Sequence, residues 1–353
     1  MHDIGEGTIR RIDWTELTPV VLLLRIFNIS LGLRILALAL IGLGATALLG
    51  SLLMGIPSMG IGLPELVQGR EPQSRFNIPV DVFSLIFHDI WQDAIRRGSI
   101  SLLWFGLCGT VLIWTFCGGL ICRIVAIRLT IDEAEPIDSL FFFFRKRGIG
   151  FISSLIILSL GIICCYLPVK IAVWLSTVPI LDYVVAIFFP ILLVFAFFTV
   201  ILALGLAAGW MLLFAAVSVD GSDGFDAISR MFSYVFQRPL HYLLYWIFSS
   251  ILGWLGYQLV NVLVFATAFL CWNIVPEHGG FLVSFWLDTV LVLLLPTAYL
   301  FAWFWTSSVA IYLLLRRSVD ATPFNEVYRV APLKVRFLPP IKQDEHGAPE
   351  IKS

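Results

Sequence analysis

Charge is scarce in this chain. Of 353 residues, 13% are charged and 59% apolar, against about 25% and about 45–50% in soluble domains, so a water-soluble globule is excluded. Lys and Arg number 23 against 24 Asp and Glu, which leaves no basic surplus to hold nucleic acid. Cysteine is sparse as well. Cys108, Cys117, Cys122, Cys164, Cys165 and Cys271 all sit in apolar runs, with no CxxC pair and no His at ligand spacing, so neither a disulfide framework nor a zinc site is expected. The five His fall in separate segments, and HExxH, GxSxG and GxxxxGK[ST] do not occur. No cofactor is expected, and an enzyme is the least favoured class. The polar start, with no small-residue cleavage site after an early apolar segment, is not read as a signal peptide.

What is abundant is long apolar sequence. A helix needs about 20 apolar residues to cross roughly 30 Å of hydrocarbon, and six segments qualify: about 33–56, 101–124, 150–168, 183–219, 240–275 and 281–315. The expected fold is therefore all-α, a polytopic helical membrane protein with one six-span domain over 1–330 and a proline-rich, disordered cytoplasmic tail over 331–353. Each of the last three segments exceeds thirty residues. That is too long for one perpendicular crossing and short of the roughly 40 that two would need, so tilted, projecting helices are expected.

Charge placement tests the count, because cytoplasmic loops beside spans carry excess Lys and Arg. With six spans one side receives eighteen of them, among them Arg25, Arg34, Arg123, Arg145, Arg230 and Arg316, and the other side five. Both termini are thus expected on the cytoplasmic side. The opposite side holds one sizeable loop, 57–98, in which Phe83, Ile86, Phe87, Ile90 and Trp91 share a helical face, the pattern of an amphipathic helix. His88, Asp89 and Asp93 lie close together there, and their spacing is that of a solvated polar face rather than of a metal site.

Three even-numbered spans are followed by versions of one turn: Ile131-Asp132 to Pro136-Ile137-Asp138, Val219-Asp220 to Gly224-Phe225-Asp226, and Val319-Asp320 to Pro323-Phe324-Asn325. Each opens an apparently amphipathic segment, at 137–146, 225–236 and 324–328, and the N-terminal 17–29 supplies a similar element. The spacing suggests a helical hairpin repeated three times. Asp132, Asp138, Asp220, Asp223 and Asp226 read first as helix caps and dipole partners. The alternative is a cytoplasmic docking surface built from Asp132, Asp138, Asp220, Asp226, Arg230, Arg238 and Asp320.

Polar groups at membrane depth are few. Gln258 and Asn261 share a face of the fifth span, and Asp288 sits about seven residues into the sixth. The first two read as helix-to-helix hydrogen-bonding groups, and Asp288 as an interfacial residue. Arg123 lies near a span end, where its stem can snorkel to water. The pairs Gly205/Gly209 and Ser249/Gly253 have the spacing of close helix approach.

The segments LLWFGLCGTVLIWTFCGGLICRIVAIRL, AVSVDGSDGFDAISRMFSYVFQRPLHYLLYW and IYLLLRRSVDATPFNEVYRVAP resemble a group of multi-pass membrane proteins from planctomycete-type bacteria. No activity is established for that group, so the resemblance implies a bacterial inner-membrane location and the plan above, without assigning a role to any residue. The chain is also remotely similar to bacterial six-span domains with a Gly-Ser-Asp turn before the fifth span. Mitochondrial carriers place their Pro-x-acidic signature in odd-numbered spans, whereas Pro136-Ile137-Asp138 follows an even one, so that relationship is rejected. Two functional expectations follow. The first is a non-catalytic membrane component that lies in the lipid bilayer and assembles with a protein partner through cytoplasmic helices. The second is a permease for a small solute, with a polar route among Gln258, Asn261 and Asp288.

Overall fold

The computed structural model describes residues 21–54, 100–274 and 285–329. The described residues are helical apart from short connections, in the order α1 (Val21–Ser30), α2 (Leu33–Met54), α3 (Ile100–Thr130), α4 (Ile137–Leu175), α5 (Pro179–Asp220), α6 (Gly224–Gln237), α7 (Pro239–Ile274), a π-helical stretch (Phe285–Leu294) and α8 (Leu295–Asp320). Six of these segments are long and apolar enough to cross a membrane. The chain is an integral, multi-pass, all-α membrane protein. The expected loop helix around 80–97, the tail 331–353 and the first part of the 17–29 element lie outside the described residues.

Among the described residues the long apolar stretches are continuously helical. Segment 183–219 falls inside α5, residues 240–274 of the next inside α7, and the described part of the last, from Phe285, changes from π to α geometry beside Pro296. Pro168 and Pro190 lie within α4 and α5 without ending them, as happens where no water competes for the backbone. At 1.5 Å per residue, the 42 residues of α5 run about 63 Å, roughly twice the hydrocarbon thickness.

Two expected boundaries change. The amphipathic 137–146 element does not stop before the third span; it continues without a break into α4, because Gly148 and Gly150 are held as helical residues between Phe144 and the end of α5. The 324–328 element is a turn rather than a helix. Of the three segments that follow spans, only 225–236 forms a separate amphipathic helix, α6; the described part of the 17–29 element forms α1.

The core is concentrated at one end. Buried side chains cluster in the last half of α3 (Trp114 to Leu129), the first half of α4, the last third of α5 (Met211 to Val219) and most of α8. Small residues let the helices meet there. A Cβ on Gly118 would lie 2.5 Å from the Trp305 indole, and Gly205 and Gly209 receive Phe232 and Met231 of α6. Ser249 and Gly253 of α7 receive Trp303, whose Nε1 donates to the Ser249 carbonyl at 3.1 Å. Both small-residue pairs therefore serve contacts within the chain. Away from this end, α4 and α5 continue as a hairpin with Leu160, Ile171, Ile187, Phe188 and Phe197 exposed.

Candidate functional site

All three repeated turns meet at the packed end. Each leaves its helix through a residue with left-handed backbone: Asp132 (φ 62°), Gly221 (φ 63°) and Ala321 (φ 54°). This conformation closes a helix by turning the chain out of its axis. It also exposes a difference among the repeats. In the second and third the Asp (Asp220, Asp320) precedes the left-handed residue, whereas in the first Asp132 is that residue, so the first turn is offset by one.

Arg123 is the centre of one cluster. It is 1% exposed, so the expectation that it snorkels to water is overturned. Its guanidinium is consumed internally: Nε donates to Glu135 at 3.2 Å, and Nη1 donates to the carbonyls of Ser218 and Tyr328, both at 2.9 Å. The charge also lies 4.1 Å from the Phe143 ring centroid. One side chain thus ties α3 to the first turn, to the end of α5 and to the segment after α8. The same segment is fixed from the backbone, because the Tyr328 N–H donates to the Val219 carbonyl at 2.7 Å. Arg147 covers the Tyr328 ring at 5.0 Å, and its hydrogen bond holds the Tyr328 pKa below the ordinary tyrosine value.

Asp220 is the centre of the second cluster. Its carboxylate accepts from the Tyr312 hydroxyl and pairs with Arg230 at 3.0 Å and Arg316 at 3.4 Å. Asp320 accepts from the Tyr234 hydroxyl. Tyr312, Arg316 and Asp320 are spaced by four on α8, hence on one face, and that face meets α6. Burial disfavours the Arg230 charge, but Tyr312, Asp220 and Asp226 outweigh it and raise its pKa above the ordinary arginine value. Burial, then the bond to Asp320, pushes the Tyr234 hydroxyl pKa up. Removing one member of a buried ion pair costs about 3–5 kcal/mol because the other charge is left stranded; Asp220 and Arg316, each about one-tenth exposed, fall in that class.

The remaining turn residues do less. Asp132 pairs with Arg25 at 2.6 Å in a solvent-exposed contact, a class worth about 0.2–1 kcal/mol. Asp226, expected as a cap, faces Arg230 at 3.1 Å; the cap of α6 is Asp223, which accepts the Asp226 N–H at 2.9 Å. Asp138 lies exposed in the first turn of α4 with no side-chain cap. Arg238 is exposed at the end of α6.

The membrane-depth candidates do not join this network. Gln258 is exposed on α7, and Asn261 is half-buried one helical turn after Tyr257. Asp288 falls in the π-helical stretch, and its side chain lies outside the described residues. Among the described residues there is no cluster of three or more His, Cys, Asp or Glu arranged to hold a metal.

Sequence reasoning missed the part played by Glu135, Tyr234, Tyr312 and Arg316, and misread Arg123. One signal was available: Arg123 is followed by four more apolar residues, Ile124 to Ile127, so it lies inside the apolar run rather than at its end, and such an Arg is a functional or structural centre by default. The i, i+4, i+8 spacing of Tyr312, Arg316 and Asp320 was another. Comparison with models of protein families, with curated proteins and with solved structures finds no match.

Proposed function

We propose that this chain is a non-catalytic component of a bacterial inner membrane, of the planctomycete type its segments resemble, that assembles with a protein partner through its turn end, with both termini on the cytoplasmic side. The observation that carries the reading is the way charge is distributed there. The internal carboxylates and guanidiniums are spent on bracing one another, while Ile137, Phe141 and Arg145, spaced by four on the first turns of α4, remain exposed. A rigid base that presents an apolar and basic stripe suits docking better than turnover. The gathering of Arg25, Arg34, Arg123, Arg147, Arg230 and Arg316 at this end agrees with a cytoplasmic base.

A permease route would need Gln258 and Asn261 to line a common cavity, and Gln258 instead faces outward. The test places a photo-crosslinking side chain at Phe141 in native membranes. A discrete protein adduct that disappears with Arg145→Ala, at unchanged thermal stability, is the expected result. Adducts to lipid alone would contradict the docking reading.

A further inference from the structure

A cleft of about 520 Å³ opens among α3, α4, α5 and α8. Its walls are rings: Trp114 stacks on Phe301 with centroids 4.3 Å apart, Trp210 stacks on Phe304 at 5.2 Å, and Trp305 lies between Phe214 and Trp210. Gly118 makes this wall possible, since only a residue without a side chain lets the Trp305 indole lie against α3. Of the hydroxyls on the lining, that of Thr297 is committed to the Leu293 carbonyl at 2.8 Å. The lining residues also carry the Thr110 hydroxyl and the buried indole N–H groups of Trp114 and Trp305, but the walls are overwhelmingly apolar and carry no charge, a surface suited to a hydrocarbon ligand.

Depth and access narrow the occupant. Leu155, on the lining, follows Arg147 by eight residues of α4, or about 12 Å along the helix axis. Leu206 precedes Asp220 by fourteen residues of α5, about 21 Å on the same rise. The cleft is therefore inside the hydrocarbon layer. Its rim is made by Leu107 and Val111, both exposed on the outer face of α3, so it opens sideways to lipid. Its size lies in the roughly 300–1,000 Å³ range of small-molecule pockets, room for a chain and not for a second helix.

We propose that this cleft is a binding site for one acyl chain of a bilayer phospholipid, seated between the stacked Trp114/Phe301 and Trp210/Phe304 pairs. The site stands whether or not the turn end docks a partner. The test uses the full chain in phosphatidylcholine vesicles doped with phosphatidylcholine that carries a diazirine at mid-chain, with adducts mapped by mass spectrometry after irradiation. Labelling of the cleft rings should exceed that of Phe188 and Phe197, which are exposed on α5, by several-fold and should saturate with probe. Val111→Trp, which fills the cleft from its rim, should remove the excess and leave Phe188 and Phe197 labelled as before; Leu206→Trp does the same from the opposite wall should the first variant fold poorly. Cleft labelling no higher than at Phe188, labelling unchanged by both variants, or labelling by diazirine palmitate but not by the phospholipid would each overturn the proposal.

Discussion

The two ends of α5 are made of the same kinds of residue and live in different surroundings. Near Asp220 every residue from Met211 to Val219 is buried against α3, α4, α6 or α8. Toward Pro179, the most apolar eighteen-residue window of the helix has no buried residue, and α4 and α5 part enough to leave a groove of about 450 Å³ between Val169 and Phe189. In lipid the hydrophobic effect does not drive helices together, and close packing and polar contacts do. Apolar sequence thus places α5 in the membrane along its whole length; the end with small residues and a polar network is enclosed by several helices, whereas the rest meets α4 as a hairpin.

Variants can break this comparison in order of size. Arg123→Met strands Glu135 and frees two buried carbonyls, and should lower unfolding free energy by about 3–5 kcal/mol, measured in one detergent against wild type. Tyr234→Phe removes a hydrogen bond to a carboxylate, a loss of about 1.5–3 kcal/mol. That variant also sharpens the pH behaviour. The Tyr234 pKa is raised in the fold, so its stabilisation is complete below the unfolded value of about 10 and is lost as pH climbs through the higher folded value. Melting temperature should therefore fall more steeply above pH 10 in wild type than in Tyr234→Phe. Asp223→Ala removes the α6 cap and should cost about 0.5–2 kcal/mol. Asp226→Ala breaks only a half-exposed pair with Arg230 one helical turn away, worth about 0.3–0.5 kcal/mol; a larger loss than in Asp223→Ala would reverse the assignment of the cap.

The fold was largely legible because its signals are local. Apolar length located all six spans, and the Asp-bearing turns marked where three of them end. The site was less legible because its partners are remote in sequence: Arg123 meets carbonyls at Ser218 and Tyr328, and Asp220 meets Tyr312 and Arg316. No window on one helix shows such a pairing. The continuity of α4 escaped notice for a different reason. An amphipathic segment and an apolar span share the same helical period, so a change of composition at Gly148 looks like a boundary when the backbone has none.

Phe214→Ala and Phe197→Ala make the same substitution in the same helix, at its packed and its exposed end. Reversible unfolding of both in one detergent should show a loss of about 3–5 kcal/mol for Phe214→Ala and a change within about 0.5 kcal/mol for Phe197→Ala. Equal losses at the two positions would contradict the claim that the bundle is held at its turn end.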